Sequence, residues 1–154
     1  MSSFKGVGRN HGFTLIEIMV VVGVIVVLMV LAMPSMIRSR LNANESSAIT
    51  VCRQVSNACQ FYYSNVSPHT YPSGFQELAN ANPQYLDDTF DTVRPEKHGY
   101  RFTYTREDSE NFSIIGEPAS EGRTGVRYFY VDEVGVITNK AGEQAGPNDD
   151  PVSG

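Results

Sequence analysis

The chain has 154 residues, 41% of them hydrophobic, and a formal net charge of −5 from 12 Lys and Arg against 17 Asp and Glu. That length holds one modest domain beside an anchor and leaves no room for a second catalytic domain. The acidity argues against nucleic acid as a partner, because binding phosphate along a strand needs a basic stripe and none is visible in the sequence.

Residues 1–12 are rich in Gly, Ser and Asn and read as a flexible leader. Gly6, Gly8 and Gly12 follow no strand and are wrongly spaced for a dinucleotide loop. Lys5, Arg9 and His11 precede the apolar run that follows, so by the positive-inside bias this end stays cytoplasmic and the body faces outward. Without Lys5 and Arg9 the net charge becomes −7.

The stretch that organises the chain is Gly12, Phe13, Thr14, Leu15, Ile16 and Glu17 followed by a nearly unbroken Val, Ile, Leu and Met run to Met33. About 20 such residues, rising about 1.5 Å each as a helix, match a hydrocarbon core about 30 Å thick. A secretory signal would be shorter and would end at a small-x-small cleavage site, which is missing here. Glu17 is the one charge in the run. Its insertion cost, roughly 2.5 to 3.5 kcal/mol at mid-span, is outweighed by the many Phe, Leu, Ile and Val residues at roughly −0.3 to −0.6 kcal/mol each. An acid inside such a helix still calls for a partner or a task.

Behind a basic leader and ahead of an apolar helix, the residues from Gly12 to Glu17 resemble the type IV pilin-like family, which includes type IV pilins and the pseudopilins of type II secretion. The resemblance implies that prepilin peptidase cuts between Gly12 and Phe13 and methylates the new amino group on Phe13. Glu17 becomes the fifth residue of the mature chain and the assembly residue. A new amine has a reference pKa of about 7.7 to 8.0 and is mostly cationic near neutral pH, so a neighbour's Glu17 can neutralise it. Because both charges must be desolvated, that pair sets register more than it stabilises. The implied fold class is α+β, a pilin-like fold with a long amino-terminal helix packed by its second half on a small antiparallel sheet.

Pro34 removes a helix hydrogen bond and predicts a kink. Over residues 35–66 the helical pattern resumes, with Ile37, Leu41, Ala48, Cys52, Val55, Cys59, Tyr62 and Val66 on one stripe and Arg38, Glu45, Arg53 and Gln54 on other faces. Cys52 and Cys59 suit an oxidising compartment, but seven helical residues set them about 10 Å apart along the axis, beyond the roughly 7 Å limit for a bridge. Two buried thiols are expected. Phe61, Tyr62, Tyr63 and Tyr71 read as core material and an interfacial anchor.

Residues 67–140 form the body. Pro68, Pro72, Pro83 and Pro95 forbid long elements at first, and Ser73 with Gln76 reads as a capping box opening a short helix through Phe75, Leu78 and Ala79 that Pro83 ends. The Tyr71-Pro72 step followed by Phe75 and Leu78 is similar to the loop after the long helix in major pseudopilins. Asp87, Asp88 and Asp91 lack the pattern of a calcium loop and read as solvated. Tyr100, Phe102 and Tyr104 alternate with Arg101, Thr103 and Thr105; Phe112 and Ile114 flank Ser113; Val126, Tyr128 and Tyr130 alternate with Arg127 and Phe129. After a turn at residues 132–135, Val136 and Ile137 suggest a last strand. A meander of about three or four antiparallel strands then buries one face against the helix stripe. Residues 116–125 read as a loop that meets a neighbour or cargo, and residues 141–154 as a flexible tail. Gly146-Pro147-Asn148-Asp149-Asp150 resembles the calcium-binding carboxyl end of some major pseudopilins, which leaves Asp149 and Asp150 as weak metal candidates; no cofactor is otherwise expected.

Catalysis finds no support: His11, His69 and His98 fall in the leader and loops, without a metalloprotease, phosphate-loop or nucleophile-elbow pattern. The leading expectation is a structural filament subunit, held in the inner membrane with a periplasmic body and drawn into a homo-oligomeric helical polymer. The family resemblance implies prepilin peptidase, an inner-membrane platform protein with its assembly ATPase, and minor pilins or pseudopilins as partners. A cysteine pair enclosing a carboxyl-terminal loop, present in many type IV pilins, is missing, which favours a secretion pseudopilin. A surface pilus for adhesion, motility or DNA uptake is the alternative, and a monomeric membrane-anchored binding domain the alternative of another class.

Overall fold

A computed structural model describes residues 12–152; the leader expected at residues 1–12 lies outside them except for Gly12. The described chain divides into two compact units, one ending at Met36 and one beginning at Ile37, and helix α1, Leu15–Asn65, belongs to both.

In the first unit, Val, Ile, Leu and Met crowd α1 so densely that no polar face exists, and every large apolar side chain from Leu15 to Met33 is at least 45% exposed. The segment is long and apolar enough to cross a membrane. Pro34 sits inside the helix, and Ser35 Oγ donates to the carbonyl of Ala32 at 2.9 Å.

In the second unit, α1 buries Glu45, Ala48, Cys52, Val55, Cys59 and Tyr62, residues three or four apart that share one face. Two expectations fail here. Ile37 is exposed, and Glu45, assigned to an outer face, lies in the buried stripe. The stripe continues through an acid because the body supplies that acid with partners.

Six strands pair in sequence as an antiparallel meander: β1, Glu96–Lys97; β2, Tyr100–Arg106; β3, Phe112–Pro118; β4, Arg127–Asp132; β5, Thr138–Ala141; and β6, Asp150–Pro151. The sheet has more strands than expected because β1 and β6 are two-residue edges, too short to show a period. The registers Phe102↔Gly116↔Phe129 and Tyr104↔Ile114↔Val131 line up the inner face. At Gly116 a Cβ would lie 3.2 Å from Phe102 Cε1 and 3.6 Å from Cys52 Sγ, so the missing side chain lets α1 approach the sheet.

The alternation in β2 and β3 points as expected, with Tyr100, Phe102, Phe112 and Ile114 buried. In β4 the faces are reversed from the expectation: Phe129 and Val131 are fully buried and Tyr128 and Tyr130 only partly. Period two places Arg127 on the inward set with Phe129 and Val131. That set wins because Arg127 finds an acid there. The last full strand begins after Ile137, which is itself buried.

Short helix α2, Phe75–Ala79, follows the expected position but not the expected cap. Glu77, not Gln76, reaches back, accepting from Ser73 N at 2.6 Å and Ser73 Oγ at 2.8 Å, and Tyr62 Oη also donates to it. Phe75, Leu78 and Phe90 from this region close the core.

The flexible tail is also corrected, as far as Val152. Ala145 is buried, Thr138 Oγ1 donates to Gly146 O at 2.7 Å, and Gly146 N donates to Asp149 Oδ2 at 2.8 Å. Asn139 Nδ2 donates to Asp150 O and Val152 N to Ile137 O. Polar side chains clamping backbone hold this segment, a contribution that its low hydropathy does not reveal.

Candidate functional site

Gly12 and Phe13 precede the first turn of α1, both exposed, with Phe13 78% accessible. The next four residues build the helix end. Thr14 N donates to Glu17 Oε2 at 3.4 Å while Glu17 N donates to Thr14 Oγ1 at 3.3 Å. This Thr-x-x-Glu exchange is a capping box, which satisfies orphan donors of the first turn, and an acid there also meets the positive end of the helix dipole. Glu17, four residues after Phe13, thus has a partner at the head of its own helix in Thr14. The sequence carried the signal, Thr14 followed three residues later by Glu17, but it lay under the membrane-insertion question.

Beyond Glu17 the rod offers only apolar surface. Gly23 has nothing within 4 Å of where a Cβ would stand, and with Val20, Val24, Val27 and Leu28 it forms a shallow recess of about 310 Å³. A small residue on an apolar helix lets a neighbouring helix approach closely. Nothing within the unit fills the recess.

Within the body the chemistry concentrates at Glu45. Its Oε1 accepts from Val126 N at 3.0 Å and Arg127 N at 3.3 Å, and its Oε2 from Arg127 Nε at 2.7 Å. Burial alone would raise its pKa, but the hydrogen bonds from Val126 and Arg127, with the Arg127 charge, hold the carboxyl below its ordinary value. The Arg127 guanidinium also lies 5.5 Å from the Phe129 ring centroid. Tyr100, fully buried, donates through its hydroxyl to Arg127 O at 2.9 Å. This cluster rivets α1 to the start of β4.

The other sequence candidates are spread across the body. Cys52 and Cys59 are buried free thiols, and burial pushes both up to about 12. Tyr63 and Tyr71 pack at 4.7 Å between centroids and Tyr71 meets Phe112 at 4.6 Å, within one chain. His69 Nδ1 lies 2.9 Å from Tyr63 O, and His98 and Gly99 take positive φ in the turn between β1 and β2. Asp87 binds Lys97 at 2.6 Å, a contact that lowers its pKa, while Asp88 accepts from Gln84 and Asp91 from Asn80. Asp149 caps Gly146 and lies 3.9 Å from Lys140 Nζ, while Asp150 contributes backbone to β6. Among the described residues no three His, Cys, Asp or Glu side chains cluster as metal ligands.

Comparison with known proteins bears on the amino-terminal segment above all. The prokaryotic N-terminal methylation motif matches residues 8–33. The type IV major pilin protein PilA of Myxococcus xanthus (strain DK1622) is 29% identical over 114 residues, covering 73% of this chain and 46% of that protein. The aligned part thus spans about half the length of that relative. No solved structure matches the chain. With the motif at the head of a long apolar helix and that helix joined to an antiparallel sheet, the chain is similar to the type IV pilin-like family in both its amino-terminal motif and its fold.

Proposed function

We propose that the chain is a structural subunit of a type IV pilus-like filament, stored in the membrane by the first half of α1 and polymerised through the same surface. The observation that carries this reading is a helix apolar on every side, exposed from Leu15 to Met33, with its single acid at the end beside Phe13. A bilayer gives little drive between apolar helices, whereas a filament buries the same surface among neighbouring helices, and head-to-tail contacts that do not close yield an open helix.

Cleavage after Gly12 would create an amine on Phe13 within a residue of the capping box. Glu17 would then exchange its own helix end for the amine of a neighbour. The amino terminus faces the cytoplasm and the body the periplasm before assembly, with prepilin peptidase, a platform protein with its ATPase, and minor subunits as partners.

The likeness to a protein named as a type IV major pilin supports a surface pilus. A secretion pseudopilin is the second reading. It is supported by the two cysteines, both buried in α1, which leave none to close a carboxyl-terminal loop.

Intact-mass measurement of the purified chain tests maturation, and disulfide crosslinking of V22C/V27C tests assembly. A product beginning at methylated Phe13 and a ladder of multimers are expected. A product that keeps Gly12 and stays monomeric at every concentration would sink the proposal. Surface filaments seen with antibody support the pilus, and a secretion defect without filaments supports the pseudopilin.

A further inference from the structure

At the beginning of the folded body, Arg40 of α1 and Arg123 of the loop between β3 and β4 line a recess of about 370 Å³ together with Ile37 and Gly122. The loop is built to stand there. Asn44 Nδ2 donates to Thr124 O at 2.8 Å, and the N–H groups of Arg123 and Thr124 both donate to Ser120 O. Arg38, two residues before Arg40, is turned about 200° from it around α1 and brings a third guanidinium at the same level of the helix, outside the recess.

All three arginines are exposed, and among the described residues none has an ion-pair partner, whereas Arg94, Lys97, Arg101, Arg127 and Lys140 each have one. Nearby acids are engaged elsewhere: Glu45 holds Arg127, and Glu121 interacts with Tyr128. In a chain of net charge −5, two free positive groups on one recess and a third at the same level of the helix mark this end of the body as a site for anions.

The anion is identified by where the cluster falls along the chain. Arg38 and Arg40 follow Met33, the last residue of the apolar run, by five and seven residues. As helix that is about 8 to 10 Å, against a headgroup layer about 5 to 8 Å deep beyond the hydrocarbon, and arginine arms extend back toward it. Guanidinium forks match phosphate oxygens in pairs.

We propose that Arg40 and Arg123 form a clamp for the phosphate of an anionic phospholipid, with Arg38 engaging a second headgroup from the other side of α1, and that these contacts hold the body on the bilayer surface until the subunit is withdrawn. The clamp rests on the membrane residence proposed above.

The test uses the full chain in vesicles of phosphatidylcholine, with and without phosphatidylglycerol, read by amide hydrogen exchange. Each basic group near an anionic surface changes an equilibrium by about five-fold. Exchange over residues 120–125 is expected to slow by at least that factor when phosphatidylglycerol is present. The slowing should vanish in R38Q/R40Q/R123Q, weaken in R123Q alone, and persist in R53Q, an exposed arginine outside the cluster. Insertion is followed separately by resistance to alkaline extraction. A chain that washes off overturns the membrane reading and the clamp with it. A chain that stays inserted but exchanges equally in both lipids overturns the clamp alone. So does slowing that survives the triple substitution, that follows protein density (a second copy as partner), or that inorganic phosphate reproduces in phosphatidylcholine (a free-anion site).

Discussion

Replacing Glu45 by Ala removes the acid that joins α1 to β4. Two backbone donors, Val126 N and Arg127 N, lose their acceptor, and Arg127 loses its ion pair. Breaking a buried pair costs about 3 to 5 kcal/mol, with about 1 to 3 kcal/mol for a stranded donor as part of it. The Arg127 side chain is 38% exposed and regains water, which puts the loss near the lower end, about 3 kcal/mol. For a body of this size that lowers Tm by about 12 °C. Glu45→Gln keeps an acceptor oxygen and is expected to lose about half as much. The pH dependence separates the two effects. A carboxyl held below its ordinary value contributes stability that is complete above its unfolded pKa and disappears as pH falls through the depressed folded value. The wild type should therefore lose stability on acidification more steeply than E45Q. Near-UV circular dichroism of the full chain in detergent reads the body directly, since the sequence has 8 Tyr and no Trp. E45A melting within about 2 °C of the wild type, a small fraction of the shift expected from the lost pair, would refute the reasoning, as would E45Q and wild type with identical acid slopes.

Gly125→Ala would place a Cβ 1.9 Å from Tyr100 Oη, displacing a buried ring and its bond to Arg127 O; a loss of about 1 to 3 kcal/mol in the same melt is expected. Both thiols should resist a thiol reagent in the native protein at mildly alkaline pH and react only on unfolding, because burial raises them to about 12; fast native labelling contradicts this. Thr14→Ala should speed exchange of the first-turn amides of α1 by about two- to five-fold, the loss of a weak cap, and leave the body's melt unchanged. Truncation before Ala145 should lower Tm measurably, since it removes a buried side chain and the pairing of β6; an unchanged Tm would mean the segment contributes nothing.

Local pattern carried the sequence reading where the chemistry was local. The apolar run fixed the start of α1, and the alternation of Tyr100, Phe102 and Tyr104 placed β2 and its inner face. Reading failed where a residue's partner is distant. Arg127 looked like an outward residue and Glu45 like a solvent-facing one, because neither sequence neighbourhood shows that they meet across 82 positions. Once they pair, β4 turns Phe129 inward and the helix stripe passes through an acid. The tail escaped for a similar reason, since Thr138 and Asp149 stabilise it through backbone bonds rather than apolar area. The amino-terminal motif was read through its likeness to a family, with Glu17 weighed only against the membrane and a neighbour. What the motif did not disclose was that Glu17 closes the first turn of its own helix through Thr14.

The two outermost strands carry a consequence for copies of the body brought close together. Each is two residues long: Glu96 and Lys97 directly after Pro95, and Asp150 with Pro151. Short, charged, proline-bearing margins present few free backbone groups to a second sheet. Bodies crowded side by side therefore have little with which to zip together at their rims, which in the proposed filament would leave contact between copies to the greasy rod.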